Sequence, residues 1–142
     1  MFTKQLSVFI ENRHGRLSEV LRVLKENGVN ILSLSLADTT EYGLVRLIVD
    51  NPEKSREKLA ECGFSTILTD VLVIKISHES GSLFDILSAL TEKGINVEYM
   101  YGLSIEGTKA YVVLKTSEIN KTAESLKNLG AELISGEKIN LI

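Results

Sequence analysis

A chain that repeats itself folds as two similar bodies, and this one repeats at an offset of 66 residues. At that offset Gln5–Ile31 meets Val71–Val97, and nine of the 27 positions are identical: Leu6/Leu72, Ile10/Ile76, Gly15/Gly81, Leu17/Leu83, Leu21/Leu87, Leu24/Leu90, Glu26/Glu92, Gly28/Gly94 and Asn30/Asn96. Unrelated segments of ordinary composition agree at about one position in fifteen. Val8/Ile74, Glu19/Asp85, Val20/Ile86 and Val29/Ile95 are conservative pairs. The register later slips by one, since Gly63 pairs best with Gly130. Solenoid units run roughly 20–50 residues, so this longer period marks a duplicated small domain.

Each copy has the same plan. Leu6, Val8 and Ile10 alternate with Ser7 and Phe9, predicting a strand with one buried face. The polar loop Glu11–Gly15 follows. Leu17, Val20, Leu21 and Leu24 then fall at helical spacing, and Gly28 stands where a helix C-terminal glycine belongs. Ile31–Ala37 and Leu44–Val49 flank Thr39-Thr40-Glu41-Tyr42-Gly43, the pattern of a hairpin. Asn51-Pro52 is an N-cap followed by a first-turn proline, opening a helix to about Cys62. Phe64–Leu68 closes the unit as a fourth strand.

The second copy follows suit, with a strand at Leu72, Ile74 and Ile76 and a helix stripe of Leu83, Ile86, Leu87 and Leu90 that ends at Gly94. Ser82 and Asp85 have capping-box spacing. Asn96–Ile105 and Ala110–Thr116 make a hairpin around Gly107. Ser117 is placed to cap a helix with Ile119, Ala123 and Leu126 inward, and Ala131–Ile134 ends the unit. The tail Gly136–Ile142, apolar at Ile139, Leu141 and Ile142, is expected as an extra strand or a docking segment.

The order βαββαβ, taken twice, predicts an α+β chain of two tandem ferredoxin-like split-βαβ sandwiches, about 1–69 and 70–142. No Pro/Gly/Ser linker marks Thr69-Asp70, so the copies are expected to pack closely. A formal net charge of −3 provides no basic field for nucleic acid or anionic membrane. No apolar run approaches the roughly 18 residues of a membrane span. Cys62 is the one cysteine, which excludes an intramolecular disulfide and an all-cysteine metal site. With no signal-peptide pattern at the N-terminus, these features point to a cytoplasmic protein.

The residues give catalysis little support. His14 aligns with Ser80 and His78 with Asn12, so the duplication builds no paired metal site, and no metal or cofactor is expected. Cys62, late in a helix, reads as a small buried side chain rather than a nucleophile. RNA-recognition domains share the βαββαβ order, but they need stacking aromatics on the sheet, and Phe9 is matched by Lys75.

The loop between first strand and first helix stands out: Asn12-Arg13-His14-Gly15-Arg16-Leu17 in one copy, His78-Glu79-Ser80-Gly81-Ser82-Leu83 in the other. Such a loop presents backbone N–H groups at a helix N-terminus, which suits a carboxylate. Asn30 and Asn96 open the second strands at matched positions, next to Ile31 and Val97, and can hold a polar group such as an α-amine. Glycine and asparagine are equally the residues of plain turns. Arginines in the first loop and Glu79 in the second make the first loop the expected stronger anion site. Ser33 and Ser35 align with Tyr99 and Tyr101, rings expected to fill or reshape the second pocket.

ENRHGRLSEVLRVLKENGVNI resembles the opening of an ACT domain, a small amino-acid-sensing module, and SHESGSLFDILSALTEKGINV resembles it more loosely. The first copy is similar to the serine-binding regulatory domain of phosphoglycerate dehydrogenase, whose ligand-contacting asparagines fall on Asn12 and Asn30. A histidine of that site falls on Ile10. The usual proline before the loop glycine is replaced by His14 and Ser80. The resemblance implies a non-catalytic protein that binds a small amino acid between ACT units, as a sensor or regulatory subunit for an enzyme. Its candidate ligand set is Asn12, Arg13, His14, Gly15, Arg16, Leu17, Asn30, Ile31, His78, Gly81, Ser82, Leu83 and Asn96. The rival reading is an adaptor that keeps the fold without the ligand. Apolar residues on both parities of Leu44–Val49, and on opposite parities of the two second strands (Leu32, Leu34 and Leu36 against Val97, Tyr99, Tyr101 and Leu103), lead to the expectation of a homodimer packed through sheet faces or edges.

Overall fold

The computed structural model describes residues 2–38 and 41–139. Thr39 and Thr40 of the expected hairpin turn, and Leu141 and Ile142 of the tail, lie outside the described residues. The elements are β1 (Thr3–Glu11), α1 (Arg16–Glu26), β2 (Ile31–Asp38), β3 (Tyr42–Val49), α2 (Pro52–Glu61), β4 (Ser65–Ser77), α3 (Ser82–Glu92), β5 (Val97–Glu106), β6 (Lys109–Thr116), α4 (Ile119–Asn128) and β7 (Glu132–Ile134). Lys4–Thr69 is one compact unit. The described residues from Asp70 onward, together with Phe2 and Thr3, form the other.

In the first unit β3 pairs antiparallel with β1 on one side and β2 on the other, through Leu6↔Leu47, Phe9↔Leu44 and Leu34↔Leu47. Alternation sends Leu6, Val8 and Ile10 of β1 and Val45, Leu47 and Val49 of β3 to one face. There they meet Val20, Val23 and Leu24 of α1, Leu59 of α2 and Phe64. Each such side chain contributes about 1.5–3 kcal/mol on leaving water. The second unit repeats this: β6 pairs antiparallel with β4 and β5, and β7 pairs with β4. Leu72, Ile74, Ile76, Leu90, Val112, Leu114, Ala123 and Leu126 fill its core, with Phe2 packed against them.

The helix ends show why the sequence folds this way. The N–H of Val29 donates to the Leu24 carbonyl and that of Gly28 to the Lys25 carbonyl. Ile95 and Gly94 do the same to Leu90 and Thr91. This closing motif needs a left-handed residue, and Gly28 (φ +67) and Gly94 (φ +73) supply it. Asn51 caps α2 as expected, its side chain accepting from the Lys54 N–H at 3.2 Å, with Pro52 in the first turn.

Several expectations need correction. Ser82 is not a cap: α3 starts from Gly81, and no side chain bonds its N-terminus. Glu118, not Ser117, stands at the N-cap of α4, again without a side-chain bond. Cys62 is exposed, because it follows the last turn of α2. Phe64–Leu68 and Leu72–Ile76 are not separate strands: β4 runs unbroken through Thr69 and Asp70. The described part of the tail turns at Gly136–Lys138 and buries Ile139. β1 also hides more than one face, since Gln5 and Ser7 are buried while Phe9 is half-exposed. Ile48, on the face of β3 away from the helices, is fully buried within a single chain, so it does not by itself require a partner.

Candidate functional site

The two glycine loops are built alike. The N–H of Asn12 donates to the Glu41 carbonyl at 3.0 Å, and that of His78 to the Thr108 carbonyl at 2.7 Å. Each loop is thereby tied to the hairpin turn beside it. The chain then turns through Gly15 (φ +85) or Gly81 (φ +89) straight into a helix. A side-chain-bearing residue would be strained there, and with glycine as N-cap no side chain occupies the helix N-terminus. The Arg16 and Ser82 N–H groups donate back to the Arg13 and Glu79 carbonyls, at 3.3 and 3.2 Å, and the helix dipole at each N-terminus still favours an anion.

The loop side chains differ in employment. Asn12, Arg13 and His14 are exposed. The Arg13 Nε lies 3.5 Å from Glu11 Oε2 with 62% of its side chain exposed, a pair that holds little. Arg16 turns inward instead. Its guanidinium donates to Glu19 Oε2 at 2.7 Å and stacks 4.4 Å above the Phe64 ring, and only 16% of the side chain is exposed. Its Nε is buried without a hydrogen-bond partner. Leu17 packs on the first core. In the second loop His78, Gly81 and Leu83 are exposed and Ser82 is half-buried.

Asn30 and Asn96 are held through their backbones. The Asn30 N–H donates to Asp50 Oδ1 at 3.0 Å and its carbonyl accepts from the Asp50 N–H at 3.1 Å. The Asn96 carbonyl accepts from the Ser117 N–H. Both side chains are exposed at the start of a strand, and Ile31 packs against the first core.

One unit does not bring its loop and its asparagine together. Glu11, before the first loop, sits across from Tyr42, whereas Ile31 sits across from Val49. Seven strand steps part those ends, or about 24 Å. The second unit has the same separation, with Ser77 across from Lys109 and Val97 across from Thr116. Within one unit, therefore, the loop and the asparagine are not parts of one small site.

Clefts accompany both ends of the second unit. One of about 430 Å³ is lined by Leu87, Thr91, Gly94, Ile95, Asn96 and Val97. Tyr99 and Tyr101 lie across from Lys115 and Val113 in the β5–β6 ladder. Another of about 430 Å³ has His78 at one side and Leu103, Ser104 and Ile105 along the other. The register shift of β5 between Gly102 and Ser104 shapes it, and the buried Ser104 Oγ has no hydrogen-bond partner. Sequence reasoning missed Ser104, although a glycine inside a strand is the usual signal of a bulge. Among the described residues, no group of three or more His, Cys, Asp or Glu is placed to hold a metal, and no helix is long and apolar enough to cross a membrane.

Two βαββαβ units, each with a helix that starts from a left-handed glycine, define a duplicated ferredoxin-like α+β fold. Residues 1–141 match the family described as an ACT domain pair, and the chain belongs to that family. It is similar to protein BT0572 from Bacteroides thetaiotaomicron, at 34% identity over 98% of this chain and 96% of that one, with a TM-score of 0.92. It also shares its fold with the ligand-free regulatory subunit of aspartate kinase from Thermus thermophilus (17% identity, 88% and 91% coverage, TM-score 0.62). The regulatory subunit of aspartate kinase from Thermus flavus is comparable (18% identity, 86% of each chain, TM-score 0.61). No curated protein matches the chain.

Proposed function

We propose that this protein is a cytoplasmic, non-catalytic amino-acid sensor, acting as a homodimer on an enzyme that it regulates. The observation that carries this reading is the pair of helix N-termini left without a side-chain cap on left-handed glycines, each anchored to its hairpin by the matched loop amide. An α-carboxylate fits such a terminus, and Arg13 biases the first loop toward an anion. The α-amine then goes to an asparagine at the start of a second strand, Asn30 foremost, supplied by another ACT unit. Likeness of the first loop and Asn30 to the serine-binding regulatory domain of phosphoglycerate dehydrogenase supports a small polar amino acid as ligand. The solved aspartate kinase regulatory subunits support the regulatory role by their fold.

A thermal-shift screen against the common amino acids tests the reading. One or a few ligands are expected to raise the melting temperature in a saturable way, because binding to the native state alone stabilises it. If none does, the chain is an adaptor that kept the fold and not the ligand.

A further inference from the structure

The duplication provides an internal control for the second strands, and β5 departs from its twin. In β2, Leu36 stands across from Val45; in β5, Gly102 stands across from Val112. Val45 and Val112 are matched core residues, paired on their other side with Val8 and Ile74. Gly102 therefore takes the place of Leu36 on the face toward the helices. In the first unit Leu36 lies over Gly43, its Cδ1 3.8 Å from where a Cβ would stand on that glycine. Around Gly102 there is open space instead.

The two strands also differ by one residue at this point. β2 runs on in register, Ala37 across from Leu44 and Asp38 across from Gly43. β5 shifts between Gly102 and Ser104, which makes Leu103 an added residue. The repeat offset is 66 at Leu36/Gly102 and 67 at Val45/Val112, so the slip of register in the sequence falls on this bulge. A leucine lost and a residue gained at one place leave the cleft of about 430 Å³ beside His78. Bulges gather next to active sites, where they re-aim the strand.

We infer that this cleft takes the side chain of a free branched aliphatic amino acid, standing where the chain's own Leu36 stands in the first copy. The inference rests on the amino-acid sensing proposed above and gives the second loop a ligand class of its own. The first copy shows what covers this part of the sheet: a single leucine side chain. The walls suit the same group, since Leu103, Ile105, Ala110 and Val112 are apolar, and the volume is that of a small-molecule site. A charged side chain would lose its hydration there with little to replace it. Of the polar groups on the walls, the Tyr111 hydroxyl already faces Glu106 at 3.4 Å. His78 lines the cleft and opens the loop that ends at Gly81, so the polar head of such a ligand lies at the loop end of the unit.

Calorimetry on the intact chain with leucine, isoleucine, valine and serine tests the inference. Leucine is expected to bind, and valine about fourfold more weakly for its missing methylene. Gly102→Leu supplies the missing side chain from the chain itself. Gly102 has no positive φ and has room for a Cβ, so the variant is expected to keep its circular dichroism and melting temperature. Its affinity for leucine is expected to fall at least about tenfold, because the space is already filled. Gly102→Ala is expected to lose less, and it carries the test if the larger side chain disturbs folding. Serine binding at the first loop is expected to be the same in both variants. Native affinity for leucine in Gly102→Leu overturns the inference. So does a native chain that binds serine but none of the branched amino acids, a result that leaves the sensing function standing. A chain that binds no amino acid overturns both. If Gly102→Leu halves the mass seen by light scattering and the native chain ignores leucine, a second copy fills the cleft and the inference fails.

Discussion

Asn30 and Asp50 grip each other through the backbone of one and both ends of the other: the Asn30 N–H donates to Asp50 Oδ1 while the Asp50 N–H donates to the Asn30 carbonyl. This leaves the Asn30 carboxamide exposed and out of the contact. Asn30→Ala is therefore expected to change stability by no more than ~0.5 kcal/mol, as at other surface positions. If the carboxamide holds the ligand, affinity falls by roughly 1–3 kcal/mol, since a buried polar group of the ligand loses its mate. Denaturant melts and calorimetry with a ligand from the screen separate the two; unchanged affinity removes Asn30 from the site.

Gly15 and Gly81 make a matched pair for a second experiment. Each has a positive φ and open space where a Cβ would stand, so Gly15→Val and Gly81→Val carry the same backbone penalty, about 1–2 kcal/mol. Equal losses of stability are expected with unequal losses of affinity, the larger at Gly15. The reverse order places the ligand on the second loop.

Arg16 is expected to act on the fold. Arg16→Ala removes the pair with Glu19 and the stack on Phe64, which together are worth about 1 kcal/mol, or about 3 °C in melting temperature for a chain of this size. Arg13→Ala, at an exposed pair, should leave the melt unmoved. A melt unchanged by Arg16→Ala would free that guanidinium for the ligand.

Within the second unit, Thr116 and Thr122 share a buried hydrogen bond of 2.6 Å, and Thr122 Oγ1 also donates to the Glu118 carbonyl. Thr122→Val strands the Thr116 hydroxyl, at an expected cost of roughly 1–3 kcal/mol by urea titration. Leu47→Ala in the first core and Leu72→Ala in the second should each cost more, about 2–5 kcal/mol.

The repeat, the helix stripes and the closing glycines were legible because they are local: a 3.6-residue period and a left-handed turn are written in neighbouring residues. What escaped depends on distant chain. Gln5, Ser7 and Ile48 look like solvent-side positions of their strands, yet each is buried. Ser82 has cap chemistry, but the left-handed Gly81 before it already starts the helix. Thr69 and Asp70 read as a polar break, and the ladder carries β4 through them. In the site, the loops and asparagines were visible as matched pairs, whereas their separation along β3 and β6 appears only with the strand register. The stack of Arg16 on Phe64 joins residues that no spacing rule connects.

Phe2 and Thr3 belong to the second unit while the rest of β1 serves the first, and β4 crosses from one unit to the other in mid-strand. A gene cut at the repeat boundary therefore encodes two incomplete bodies. The first fragment ends in a severed strand and carries a Phe2 whose packing partners are gone. The second begins with half a strand and a hole over its core. Duplicated genes often leave modules that can be shuffled into new proteins one at a time. Here the exchange of a few terminal residues has fused the duplicates into a single heritable part, portable only as a pair.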